Sequence, residues 1–214
     1  AGVSSSVADS PGSCSSSVES TGVSGSTVST LAEADCTEWI SDPARLLPVV
    51  LEAVQDCPPS RVLEIGCGDS SLAAQIYDAL EGHAAVTAID ISEVALARSR
   101  SSFCGSRPGL HFLNADATNL HSLFAESSVD LVVDKGMSDT LQFRAKQKQS
   151  RALRCALFAE VHRVLVPGGV YFMTTPKFLP RYLHTVSWAS VSRTEISSPE
   201  GLLFDLASRG EEMA

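Results

Sequence analysis

Basic residues are in short supply: 16 Lys and Arg stand against 25 Asp and Glu, a net charge of −9 over 214 residues. Tracking a nucleic-acid backbone takes clustered cations that neutralise phosphates, so this balance argues against nucleic acid as the partner. Long apolar runs are missing too. Nothing approaches the roughly 20 residues that span a bilayer, so no membrane segment and a soluble chain are expected. The six cysteines, at 14, 36, 57, 67, 104 and 155, form no C-x-x-C pair and no ligand-like spacing with the five histidines. They read as reduced thiols of an intracellular protein, without a metal site. The first 30 residues hold twelve serines and neither Lys nor Arg. They lack the basic start and apolar core of a secretory signal and the arginines of a mitochondrial presequence, so a cytoplasmic location is expected ahead of a mitochondrial one. Such a segment cannot offset the entropy of ordering. Residues 1–33 are expected to be a disordered tail and 34–214 a single α/β domain.

What is present is an alternation of strands and helices. Val62, Leu63 and Ile65 form an apolar strand, Gly66 and Gly68 permit a tight turn and close approach of a ligand, and Ser70 to Leu80 has helical spacing. A second strand, 85–89, leads to Asp90, twenty-two residues beyond Gly68. That is close to the roughly 20-residue interval at which a second-strand acid reaches ribose hydroxyls. Together these residues describe a pocket for an adenosine-bearing cofactor. A dinucleotide fingerprint wants a third glycine at position 71, where this chain has Ser71. Glu64, two residues ahead of the first glycine, sets a carboxylate where it can counter a cationic ligand. The Glu-x-Gly-x-Gly pattern resembles motif I of class I, seven-stranded S-adenosylmethionine-dependent methyltransferases, whose cofactor carries an amino group and a sulfonium and no phosphate.

The remaining periodicities predict a helix over 43–54, a helix over 92–101 capped by Ser92, strands at 110–113 and 129–133, a helix from 146 to 165, and a strand over 169–174. Alternating units of this kind give a Rossmann-like, doubly wound, mostly parallel sheet with helices on both faces. Residues 185–196 and 202–208 read as two further strands joined by Ser198-Pro-Glu-Gly201, an antiparallel hairpin closing a seven-stranded sheet. Asp116, after the third strand, suits the adenine amino group, and Ile91 an apolar face against the adenine. The run Asp134-Lys-Gly-Met-Ser-Asp139 follows a wholly apolar strand, at the edge where open α/β sheets bind ligands. Cys67 reads as a small side chain that fits the turn, and His162 as structural. The cations Arg144, Lys146, Lys148, Arg151 and Arg154 read as a solvated helix face, with docking of an acidic partner surface as the alternative.

The combination GCGDSSL, AIDIS, VDLVVDKGMSD and EVHRVLVPGGVYFMTTPKFLPR resembles the methyltransferase-like 13 group over residues 38–208. These are protein methyltransferases that include lysine enzymes acting on translation elongation factor 1-alpha and on citrate synthase. The resemblance implies S-adenosylmethionine as cofactor and a protein lysine as methyl acceptor. It implies contacts of Gly66 and Gly68 with the methionine part, of Asp90 and Ile91 with the ribose and adenine edge, and of Asp116 and Ala117 with the adenine. Lys135 would border the cofactor and Trp39 would close over it. Asp134 and Asp139 are expected to position the acceptor amine, Asp134 relaying its proton to solvent. This chain departs from the group in having Met137 where Thr is usual, Asp69 where Asn is common, and serines in place of an aromatic-rich helix ahead of Trp39. A small-molecule methyltransferase and a non-catalytic binding module are the alternative readings.

Overall fold

The computed structural model describes Glu38 and residues 40–143, 147–175, 185–195 and 203–210. The expected serine-rich tail, Trp39 and the Ser198–Gly201 turn lie outside the described residues. The chain runs α1 (Pro43–Glu52), β1 (Arg61–Ile65), α2 (Leu72–Ala79), β2 (Ala85–Asp90), α3 (Glu93–Phe103), β3 (Leu110–Asn114) and β4 (Val129–Lys135). It continues through α4 (Met137–Phe143), α5 (Gln147–Val164), β5 (Leu165–Thr175), β6 (Trp188–Glu195) and β7 (Leu203–Arg209).

The seven strands form one sheet in the order β3-β2-β1-β4-β5-β7-β6. The first five are parallel, and β7 runs antiparallel between β5 and β6. This is the doubly wound sheet with a closing hairpin that the sequence predicts. The strand order reverses between β1 and β4, so the crevice for a ligand opens beyond their carboxyl ends.

Strand alternation assigns each side chain to one of two cores. Val62 of β1 joins Val86, Leu131 and Val133 under Leu46 and Val50 of α1, Leu72 and Ile76 of α2 and Leu96 of α3. Leu63 and Ile65 turn the other way and pack with Val132, Tyr171 and Met173 against Leu157, Phe158 and Val161 of α5. The sheet is thus buried on both faces, and polar residues inside its central strands stand out. Two carboxyls occupy such slots: Glu64 shares its parity with Val62, and Asp134 with Val132.

Local chemistry sets the element ends. Asp42 caps α1 by accepting from the Ala44 N–H at 2.9 Å, and Ser92 caps α3 through the Ala95 N–H. Helix α2 starts at Leu72, two residues later than expected, because the Ser70 hydroxyl accepts from the Leu72 N–H. At the far edge, the buried Arg209 guanidinium donates to the carbonyls of His162, Arg163 and Leu165, where α5 ends and β5 begins. It thereby satisfies carbonyls that a helix end leaves without partners.

Candidate functional site

The turn between β1 and α2 is held open by its neighbours. Gly66 has φ +66° and Gly68 φ +57°, backbone that a Cβ disfavours. The Gly68 N–H donates to Asp90 Oδ2 at 3.0 Å, and its carbonyl accepts from Ser99 Oγ at 3.2 Å. Asp90 Oδ1 accepts from the Ser92 N–H at 2.8 Å. One carboxylate therefore ties β2, the turn and the start of α3 together, while retaining lone pairs for another donor. The two glycines differ in surroundings. A Cβ on Gly66 would lie 2.8 Å from Met137 Cβ, whereas one on Gly68 would meet nothing within 4 Å. Gly66 lets the two loops touch, and Gly68 borders open space. Met137 is the residue packed on that turn.

Behind the turn lies Glu64, 0% exposed, with neither carboxyl oxygen hydrogen-bonded among the described residues. Burial pushes it up to about 8, helped by Glu38 and Asp90 and opposed by the Lys135 ammonium and the Ala73 amide. Lys135, on the same face of the sheet, pairs with Glu38 Oε2 at 2.7 Å. Glu38 also accepts from Ser70 Oγ at 3.1 Å and lies 3.4 Å from the Ser71 N–H. Glu38 thus fastens the segment ahead of α1 across the glycine turn to β4. Sequence reading passed it over, since an isolated acid well before the first strand carries no spacing signal. Burial also pushes the Cys67 thiol up, so it stays protonated, as a small packing residue would.

Asn114 Nδ2 donates to the carbonyls of Asp90 and Ile91, which fixes the backbone there, and the Ile91 side chain is 45% exposed. Asp116 Oδ1 accepts from both the N–H and the hydroxyl of Thr118, at 2.8 and 2.7 Å, an Asx turn that leaves Oδ2 for another donor. Ala117 beside it is buried. The acceptors of Glu64, Asp90 and Asp116, the apolar Ile91 and the open turn at Gly68 fit a cationic adenosyl group without phosphates.

On the opposite face, Asp134 is 0% exposed and fully engaged. Its Oδ1 accepts from the Met137 N–H at 2.6 Å, and its Oδ2 accepts from the Ser138 N–H at 3.2 Å and from Tyr171 OH at 2.7 Å. Burial lifts it to about 6, and those donors restrain the rise. This differs from the expected contact with an acceptor amine: its oxygens start α4 and brace the Lys135-Gly136 turn. Asp139, in the first turn of α4, answers the expectation differently. Its Oδ1 accepts from Thr175 Oγ1 at 3.2 Å, while Oδ2 meets no hydrogen-bond partner among the described residues. Burial raises its carboxyl, against the pull of Thr175 and Arg154.

The expected solvated cationic face divides. Arg144 and Lys146 lie outside the described residues, Lys148 and Arg151 are exposed, and Arg154 is buried beside Asp139. His162 lies 3.1 Å from the Ser187 carbonyl with its ring edge-on to Trp188, a structural setting. No group of metal-ligating residues occurs among the described residues, and no described helix is long and apolar enough to cross a membrane.

The sequence and the fold are similar to those of known proteins. Residues 62–169 match the family model described as "Methyltransferase domain". The chain is 35% identical over 138 residues to the eEF1A lysine and N-terminal methyltransferase of Danio rerio, covering 64% of this chain and 19% of that protein. It is 37% identical over 135 residues to the mitochondrial citrate synthase-lysine N-methyltransferase of Homo sapiens, covering 58% and 54%. The chain thus spans about a fifth to a half of the length of these relatives. Among solved structures, the 1,6-didemethyltoxoflavin-N1-methyltransferase of Burkholderia thailandensis, bound to its substrate and S-adenosylhomocysteine, superposes with a TM-score of 0.58. It is 19% identical, over 79% of this chain and 80% of that one, and shares the fold. The matched half of the chain begins in β1 and ends inside β5, enclosing the glycine turn and both buried carboxyls; this chain belongs to the methyltransferase domain family.

Proposed function

We propose that this chain is an S-adenosylmethionine-dependent methyltransferase whose acceptor is an amine of a protein, a lysine side chain foremost. The observation that carries the reading is the ledge beyond β1, β2 and β4. There an open glycine turn, fixed by Asp90, lies next to a buried carboxyl with no hydrogen-bond partner among the described residues. The activities of the relatives, on eEF1A and on citrate synthase, support a protein acceptor.

When bound, the cofactor supplies an electrophilic methyl on a sulfonium. The chain's own part is alignment and exclusion of water. Gly66 and Gly68 admit the methionine end, the spare lone pairs of Asp90 take the ribose hydroxyls, and Ile91, Asp116 and Ala117 border the adenine. Lys135 closes the side facing Glu38. A lysine acceptor, with an ordinary pKa near 10.4, must shed a proton before attack. Asp139 Oδ2 is the acceptor atom left to hold that amine, and Asp134 is a positioning residue that fixes the start of the helix carrying Asp139.

Calorimetry with S-adenosylmethionine tests the cofactor half, and absence of binding overturns it. Transfer of labelled methyl to eEF1A and to citrate synthase tests the acceptor half. Asp139→Asn is expected to keep cofactor affinity and to lose about 100-fold or more in transfer rate; an unchanged rate removes Asp139 from the site.

A further inference from the structure

Glu64 occupies a position that its own strand reserves for an apolar side chain. It points with Val62 toward the layer of α1, α2 and α3, is fully buried, and neither oxygen has a hydrogen-bond partner among the described residues. An ionised carboxylate there forfeits its hydration without hydrogen bonds in return. The groups around it do not repair the loss. From β4 comes Lys135, the one nearby cation among the described residues, already paired to Glu38 at 2.7 Å. Glu38, ahead of α1, and Asp90, from β2, add like charge, while the Cys67 thiol in the turn is neutral and α2 contributes only the Ala73 amide. Burial wins, and the free protein holds this carboxyl at about 8.

We propose that Glu64 reads the charge of the methyl donor: it is a neutral acid in the free protein and releases its proton to solvent when a sulfonium ligand settles at the glycine turn. The inference rests on the cofactor reading above. The exchange balances, since one proton leaves as a ligand of net charge +1 arrives, so the pocket carries the same net charge before and after. The demethylated product has lost the sulfonium charge and is neutral overall. Its presence leaves Glu64 protonated, and Glu64 therefore favours donor over product. No donor–acceptor contact has to change for this preference to arise.

The test counts protons. Titrating the protein at pH 7 with S-adenosylmethionine, in phosphate and in Tris, separates binding heat from buffer ionisation. Wild type is expected to release close to one proton per donor bound and a small fraction of one per S-adenosylhomocysteine. Glu64→Gln, of the same shape, is expected to release none with either ligand. A second measurement needs no variant: donor affinity of wild type should climb about tenfold per pH unit from pH 6 to 7.5 and level off near pH 8, with product affinity nearly flat. Equal proton counts for wild type and Glu64→Gln, or equal pH slopes for donor and product, overturn the proposal. Failure of the donor to bind at any pH overturns the cofactor reading, and this inference with it, and is told apart by the absence of any binding heat.

Discussion

Two carboxyls sit a few residues from the ligand edge of adjacent strands, on opposite faces of one sheet, and they are buried to the same degree. Asp134 collects donors from Met137, Ser138 and Tyr171 and is lifted only to about 6. Glu64 has no hydrogen-bond partner within reach among the described residues, only the weak pull of the Ala73 amide and of Lys135, and rises to about 8. Burial alone therefore does not say what a buried acid is for. One whose lone pairs are filled by its own chain is holding the fold. One whose lone pairs are empty costs stability until something from outside fills them.

The strongest way to break this comparison is Asp134→Ala. It strands three buried donors and is expected to cost roughly 3 kcal/mol in urea unfolding, along with the order of α4. A cost near zero would mean that the donors find other partners and that the two acids are alike. Next come the glycines. Gly66→Ala combines positive-φ strain with a clash against Met137 and should cost about 2–3 kcal/mol. Gly68→Ala, strained but facing open space, should cost about 1–2 kcal/mol while losing at least tenfold in cofactor affinity. If Gly68→Ala binds normally, the open space is not where the ligand lies.

A smaller effect sharpens the contrast. The Glu64 carboxyl is raised from 4.5 to about 8, so the stability it contributes when protonated is full below about pH 4.5 and is lost as pH rises to 8. For Asp134, raised from 3.8 to about 6, the corresponding window closes near pH 6. Glu64→Gln stays neutral throughout. The gap between its melting temperature and that of wild type should widen from pH 5 to pH 8, continuing past pH 6, and then hold. A flat gap would mean that Glu64 is ionised and compensated. The smallest effect is expected for Lys148→Glu, on the exposed side of α5, where melting temperature and cofactor affinity should stay within error.

The parts of the fold that were legible were those written in buried periodicity. The strands near 61–65, 85–89 and 129–133 are short apolar runs between turn residues, and a Gly-x-Gly ahead of a helix has few structural uses. Asp90 could be found because the crossover fixes its distance from Gly68. Helix α4 was missed because its seven residues are too few for a helical repeat to show and because its cap, Asp134, lies on a strand. The same arrangement turned Asp134 from an expected reactive group into a brace. Arg154 looked solvated as one of several cations in a run, yet the helical rotation carries it inward to Asp139 while Lys148 and Arg151 stay outside. Glu38 was invisible because its partners, Ser70 and Lys135, are far away in the chain.

Arg209 sets an order on how this molecule can be built. It is the final residue of β7, the last strand of the sheet in chain order, yet it reaches back over 44 residues to the Leu165 carbonyl and 47 to that of His162. While the chain is being synthesised, β5 has an open edge and the His162 and Leu165 carbonyls lack the Arg209 donor until β7 leaves the ribosome. The glycine-turn half, from β1 to β4, lies ahead of β5 and β7 in the chain and can form first during synthesis. The acceptor side, with α4 resting on α5, is then the last part to become rigid.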